Sequence, residues 1–254
     1  MKGLVTKPIG PARRLRLASS TAAVILGVLT LLAFVVDVPL ENQIHTLSAS
    51  SAFVLLILLP LVLVGVVVAR REPGNPIGWL LMAVALLETL GADASDYSVF
   101  VYRFGHRGWP LGPVGVLLNV GPVSGLPLLP LVILLFPDGR LSARWTWALR
   151  GYLALYAVMW VGHMSVAARA LERHVPVSGD GSVIGVNHPS GFAAWYGVVK
   201  PIILPLFVVF WIASIARQVW SYRASSGVRR QQTKWLGAGA LRPASPAWSW
   251  LRRA

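Results

Sequence analysis

Six apolar runs organise the chain, at residues 21–38, 52–69, 77–92, 114–136, 152–168 and 198–216, and the stretches between them gather Pro, Gly and charge. Each run approaches the roughly 20 residues a helix needs to cross the hydrocarbon core of a bilayer. In lipid the backbone must satisfy its hydrogen bonds internally, so runs of this kind predict helices. The expected fold is therefore all-α, a polytopic transmembrane helix bundle of about six spans. The third run is the shortest and is expected to extend toward Tyr97, because a span with little margin recruits its flanking residues.

Charge assigns the ends of these spans. If alternate connections face the cytoplasm, only Arg103, Arg107, Arg169, Arg173 and Lys200 fall outside, which leaves 18 of the 23 Lys and Arg residues inside. Cytoplasmic loops carry such an excess of basic residues, so both termini are expected on the cytoplasmic side of the cell membrane. The first span follows a basic stretch, but it is longer than the apolar region of a secretory signal and no small-residue cleavage site follows closely. It reads as an uncleaved anchor. The resulting division is a basic N-terminus at 1–20, a membrane domain at 21–216 and a basic cytoplasmic tail at 217–254 whose first part, 217–230, is expected against anionic headgroups.

Composition narrows the functional classes. Hydrophobic residues make up 56% of the chain and charged residues 13%, with a mean hydropathy of +0.65, far from the balance of a soluble domain. A net charge of +14 would suggest nucleic acid as the partner of a soluble protein. Here the charges sit between spans, as topology signals do, so the expected partner is the lipid bilayer and not nucleic acid. The absence of cysteine excludes disulfides, thiolate metal sites and a cysteine nucleophile.

Two inner connections carry legible local structure. In Arg70-Arg71-Glu72-Pro73-Gly74-Asn75-Pro76-Ile77-Gly78-Trp79, Pro-Gly turns the chain, Asn75 is a plausible N-cap and Pro76 a first helical residue. Trp79 then falls at the interfacial aromatic belt. In Leu135-Phe136-Pro137-Asp138-Gly139-Arg140-Leu141, Pro137 stops a helix, Asp138 and Gly139 make a turn and Arg140 marks the cytoplasmic face. Both read as punctuation before chemistry.

These two runs, Asn75-Pro76-Ile77-Gly78-Trp79-Leu80-Leu81 and Leu135-Phe136-Pro137-Asp138-Gly139-Arg140-Leu141, are followed by Arg230-Gln231-Gln232-Thr233-Lys234-Trp235-Leu236. Over residues 10–236 the chain resembles the N-terminal membrane region of actinobacterial-type sensor histidine kinases. The resemblance implies the sensory input of a two-component system, a homodimer, and motif positions at Asn75, Pro76, Gly78, Trp79, Phe136, Pro137, Asp138, Gly139, Arg140, Gln232, Lys234 and Trp235. In that family further membrane helices and a kinase core follow. Here the 237–254 stretch turns to Pro, Ser, Trp and Arg, with no phosphoacceptor-histidine segment and no Gly-rich nucleotide lid. The expectation is an input module without catalytic output, no enzyme, from a truncated or out-of-frame reading of a longer gene. A response regulator is then a partner only where another chain supplies the core.

Polar residues inside the spans are the remaining candidates. Glu88 lies eleven residues after Ile77, at or past mid-membrane, where an acid is a functional candidate by default and a hydrogen-bonded structural group otherwise. Asn119 and His163 are weaker candidates, each explicable as a helix–helix hydrogen bond. His45, His106, His174 and His188 fall in outer loops without metal-ligand spacing, so no metal and no cofactor is expected. Gly121, Pro122, Gly125, Pro127 and Pro130 in the fourth span, and Pro205 in the sixth, predict kinked or unwound helices, which surround substrates in transporters and are tolerated structurally elsewhere. The outer loop at 169–196 is too short for a sensor domain. No clear small-xxx-small interface stands out. A sensory module is the leading reading, a small transporter or channel the second, and a membrane-embedded enzyme the last.

Overall fold

The computed structural model of the chain describes the backbone of residues 11–43, 49–119, 125–136, 139 and 141–224, and their side chains save 11–18, 37–38, 40–43, 49–55, 222 and 224. Among these residues the structure is helical, with a single isolated bridge between Val177 and Val183 in place of any sheet. In chain order the helices are α1 (Pro11–Gln43), α2 (Ala49–Arg71), α3 (Pro76–Tyr102), α4 (Gly112–Leu118), α5 (Leu129–Leu135), α6 (Ala143–Ala170) and α7 (Ala194–Ala224). Short 3-10 turns at Leu126–Leu128 and Gly191–Ala193 lead into α5 and α7.

Among the described residues four helices are long and apolar enough to cross a membrane, the windows being Ser19–Val36 in α1, Pro76–Tyr102, Ala143–Ala170 and Gly191–Ser221. Their outward faces carry Ile25, Leu29, Leu32, Val198, Ile202 and Val209, all exposed. Large aliphatic side chains in such rows require lipid against them. α3 is the axis of the bundle. Half of its apolar window is buried, against 17% for α1 and α7, and it touches α1, α2, α4 and α5.

The helices are longer than their apolar runs. α1 begins at Pro11, so Arg13, Arg14 and Arg16 ride on its first turns, ahead of the apolar window. α3 continues through Asp93 and Asp96 to Tyr102, well past the expected end near Tyr97. A helix persists beyond the apolar stretch wherever packing continues, and Ser98, Val99, Phe100 and Val101 are all buried.

The fourth apolar run is not one helix. α4 stops at Leu118, Asn119 and Gly125 are not helical, and a 3-10 turn begins at Leu126; Gly121 and Pro122, where a break is expected, lie outside the described residues. The sixth run behaves differently. α7 contains Pro201 and Pro205 and stays helical throughout, so of the two forms expected at Pro205, kinked or unwound, the helix is not unwound there.

α2 and α3 cross at a backbone-to-backbone contact. A Cβ on Gly78 would lie 2.6 Å from the Ala69 nitrogen and 2.8 Å from the Gly65 oxygen. Gly65 and Ala69, four residues apart, are thus a small-xxx-small pair used within the chain, a signal the sequence reading passes over.

Contacts sort the helix ends into two groups. At one end Arg70 Nε donates to Ser20 Oγ at 3.3 Å, Gly139 abuts Pro76, and the Arg217 guanidinium lies over the Trp145 ring. At the other, Tyr97 donates to the Pro110 carbonyl, Arg107 meets His174, and Gly181 meets Ser95.

Candidate functional site

The loop joining α6 to α7 folds back into the bundle. Val177 and Val183 pair as an antiparallel bridge and both are buried in the main apolar core. At the tip, Asp180 accepts hydrogen bonds from the hydroxyl of Ser178 and from Ser182 Oγ at 3.0 Å. These bonds, Ser178 first, hold the Asp180 carboxyl below its ordinary value. Gly181 adopts φ +81°, a left-handed conformation that favours glycine. A Cβ there would lie 2.2 Å from Ser95 Oγ. The Gly181 carbonyl accepts from Ser95 Oγ of α3 at 3.2 Å and from Asn119 Nδ2 at 2.6 Å. The tip is a plug bonded to α3 and to the end of α4.

Beneath this plug lies a cavity of about 220 Å³ between α6, α7 and the broken fourth segment. Its polar lining is Asn119, His163, Ser182, Asn187, Tyr196 and Lys200, and its apolar lining includes Pro127, Met159, Leu204 and Phe207. His163 is 5% exposed and Tyr196 fully buried. Their side chains meet at 2.8 Å, His163 Nδ1 to the Tyr196 hydroxyl. Gly162 makes this possible, since a Cβ at 162 would lie 2.0 Å from the Tyr196 ring. One turn along α7, Lys200 Nζ donates to the Val186 carbonyl at 3.3 Å and to Asn187 Oδ1 at 3.4 Å.

Two of the three intramembrane candidates therefore share one site. Asn119 bonds a loop carbonyl and not a neighbouring helix, whereas His163 makes the helix–helix bond expected of it. Tyr196 and Lys200 are absent from the sequence-level candidates. Their spacing of four residues places them on one face of an otherwise apolar span, and that was the available signal.

Glu88 lies elsewhere and has a structural partner. Its Oε1 accepts from the backbone nitrogens of Gly125 at 2.8 Å and Leu126 at 2.7 Å, where helical structure resumes. Those N–H groups have no partner within their own helix, and a carboxylate satisfies them with favourable dipole sign. The other end of α5 is held from α7. Arg217 donates to the Leu134 carbonyl, and Gln218 Nε2 donates to the carbonyls of Ile133 and, at 2.8 Å, Phe136.

The two inner motifs come together. Asn75 Oδ1 caps α3 by accepting from the Ile77 nitrogen at 3.1 Å, with Pro76 as first helical residue, and Trp79 Nε1 donates to the Pro73 carbonyl at 3.1 Å. Gly139, at φ +69°, packs where a Cβ would lie 2.6 Å from Pro76 Cδ and 3.0 Å from Asn75 Oδ1. Pro137, Asp138, Arg140, Gln232, Lys234 and Trp235 lie outside the described residues, as does His45.

Among the described residues no three His, Asp or Glu side chains are grouped to hold a metal ion. His106 stacks on Phe100 at 4.1 Å between ring centroids, and His174 contacts Arg107. The chain matches no known family model, no curated protein and no solved structure. What the helices define on their own is a class: this is a helical integral membrane protein.

Proposed function

We propose that the chain is the sensory input module of a two-component system, set in the cytoplasmic membrane with six crossings and both termini inside. α2 and the broken α4–α5 segment supply the two crossings beyond the four apolar helices, and the plug end faces outward, in keeping with the basic residues gathered at the Arg70 and Arg217 end. It works as a homodimer, and a response regulator is the partner of the kinase core to which such an input is coupled.

The observation that carries this reading is the Gly181 carbonyl, bonded at once to Ser95 and Asn119. It joins the roof of the cavity to α3, and α3 runs to the opposite end, where Asn75, Pro76 and Gly139 meet. A change of occupancy in the cavity then has a rigid element through which to bias the inner surface.

A second reading, a small transporter, is favoured by the non-helical Asn119 and Gly125 within the fourth apolar run, since broken helices line substrate sites in transporters. Two measurements separate the readings. Crosslinking in native membranes is expected to capture a histidine-kinase core, with a response-regulator gene beside this one. Solute uptake into proteoliposomes by the purified chain, with no such gene and no such capture, would overturn the sensory reading.

A further inference from the structure

The cavity beneath the plug has a polar end and an apolar end, and the order of residues on α7 sets them. Tyr196 and Lys200 lie toward the loop, while Leu204 and Phe207 lie deeper, facing Met159 of α6 and Pro127. Among the described residues that line it there is no acidic side chain, and Lys200 is the one Lys or Arg.

Lys200 makes its two hydrogen bonds to neutral loop acceptors, the Val186 carbonyl and the Asn187 amide oxygen, at 3.3 and 3.4 Å. An ammonium has three N–H donors, so a donor remains after both bonds. A cation whose partners are all neutral gains from a counter-charge. The His163–Tyr196 pair adds another donor whichever way its proton lies. If the Tyr196 hydroxyl donates to Nδ1, His163 keeps its N–H at Nε2; if Nδ1 donates, Tyr196 keeps its O–H.

We infer that this cavity binds a small monocarboxylate with a short apolar body, its carboxylate on Lys200 and its apolar end against Leu204 and Phe207. One cation matches one negative charge, whereas recognition of a phosphate dianion ordinarily draws on several basic groups or an Arg fork. The volume of about 220 Å³ lies below the roughly 300 Å³ where drug-sized pockets begin, so the ligand is small. A carboxylate on the remaining donor shares the ammonium that holds Val186 and Asn187, so occupancy of the cavity is linked to the loop that roofs it. That the ligand is a stimulus rests on the sensory reading above; its chemical class does not.

The test uses the full chain in phosphatidylcholine nanodiscs, with thermal unfolding followed by intrinsic tryptophan fluorescence. Hexanoate is expected to raise Tm saturably, and hexanol and hexylamine at the same concentration are not. Lys200→Met should weaken hexanoate about ten- to hundredfold, as loss of a charged hydrogen bond does, while Lys200→Arg retains most of the binding. Leu204→Trp, which fills the apolar end, should weaken hexanoate and spare acetate, and it serves where Lys200→Met does not fold. Oleate placed in the disc carries an apolar body too long for a cavity of about 220 Å³ and is not expected to stabilise; stabilisation by oleate without stabilisation by hexanoate would overturn the proposal. Stabilisation by hexanol or hexylamine equal to that by hexanoate, no response to any carboxylate, or undiminished hexanoate binding in folded Lys200→Met or Leu204→Trp would overturn it. Should hexanoate bind as expected but be carried into proteoliposomes, the ligand class stands and the sensory reading falls.

Discussion

The hydroxyl of Tyr196 sits 2.8 Å from Nδ1 of His163, and its ring occupies the space that any side chain at position 162 would need. The helix–helix bond and the missing side chain are one arrangement. Gly162→Ala should therefore displace the Tyr196 ring and destabilise the protein by about 1–3 kcal/mol, the usual range for overpacking. Tyr196→Phe keeps the ring but leaves the buried His163 Nδ1 without that partner, at about 1 kcal/mol or more, a loss that Gly162→Ala incurs as well once the ring moves. Thermal unfolding of both variants in the same detergent checks the order, and a smaller loss in Gly162→Ala than in Tyr196→Phe would contradict it.

Glu88 holds the start of the second half of the broken segment. Glu88→Ala leaves the Gly125 and Leu126 nitrogens without their acceptor, which is expected to cost about 1–3 kcal/mol. Glu88→Gln keeps an oxygen in the same place and should retain most of the stability. Equal losses in the two variants would mean that the charge, and not the acceptor, is what the site needs. Stability in a graded denaturing-detergent titration reads the difference.

At the far end of α5, Gln218 donates to two carbonyls. Gln218→Leu fills similar space but leaves the Ile133 and Phe136 oxygens without that donor, again at about 1–3 kcal/mol. Hydrogen exchange should rise in α5 while α1 and α2, which lie on other contacts, keep their protection.

Gly78 is a tolerance test for the α2–α3 crossing. Gly78→Ala puts a methyl group within 2.6 Å of the Ala69 backbone nitrogen, and backbone cannot rotate aside as a side chain can. A loss of about 1–3 kcal/mol is expected, measured as a drop in Tm. Gly74→Ala, where nothing lies within 4 Å of the added carbon, is the matched control with little change.

The plug has a pH dependence of definite sign. Asp180 is held below its ordinary value of 3.8 by Ser178 and Ser182, so its carboxylate favours the folded hairpin above that value. The contribution disappears as pH falls through the lower folded value. Protection of the Ser178 and Ser182 amides, corrected for intrinsic exchange, should decline on acidification in this range. Asp180→Asn should remove the decline. The group is exposed, so the effect is local to the hairpin and leaves the global Tm nearly unchanged.

The helices were legible along the chain because the apolar runs are local features, and the bilayer demands local hydrogen bonding from whatever crosses it. The cap at Asn75 and the turn at Gly139 were legible for the same reason, since capping and turn geometry involve neighbours in sequence. The break in the fourth run was legible as well, from Gly and Pro alone. At Pro205 the sequence allows a kinked or an unwound helix alike, and which one forms depends on the helices packed around it.

The cavity belongs to the tertiary structure. Asn119, His163, Tyr196 and Lys200 come from segments up to 81 positions apart, and only folding brings them to one wall. Sequence determined that Glu88 and His163 sit at membrane depth; packing decided that Glu88 would cap a helix restart and that His163 would meet Tyr196. The physical reason is that a polar group in the membrane must find a partner, and sequence states the need without naming the partner. The loop at 169–196 is the clearest case. Its length and turn residues marked it as too small for a domain of its own, and it became a plug because the two valines flanking its tip were buried against the bundle.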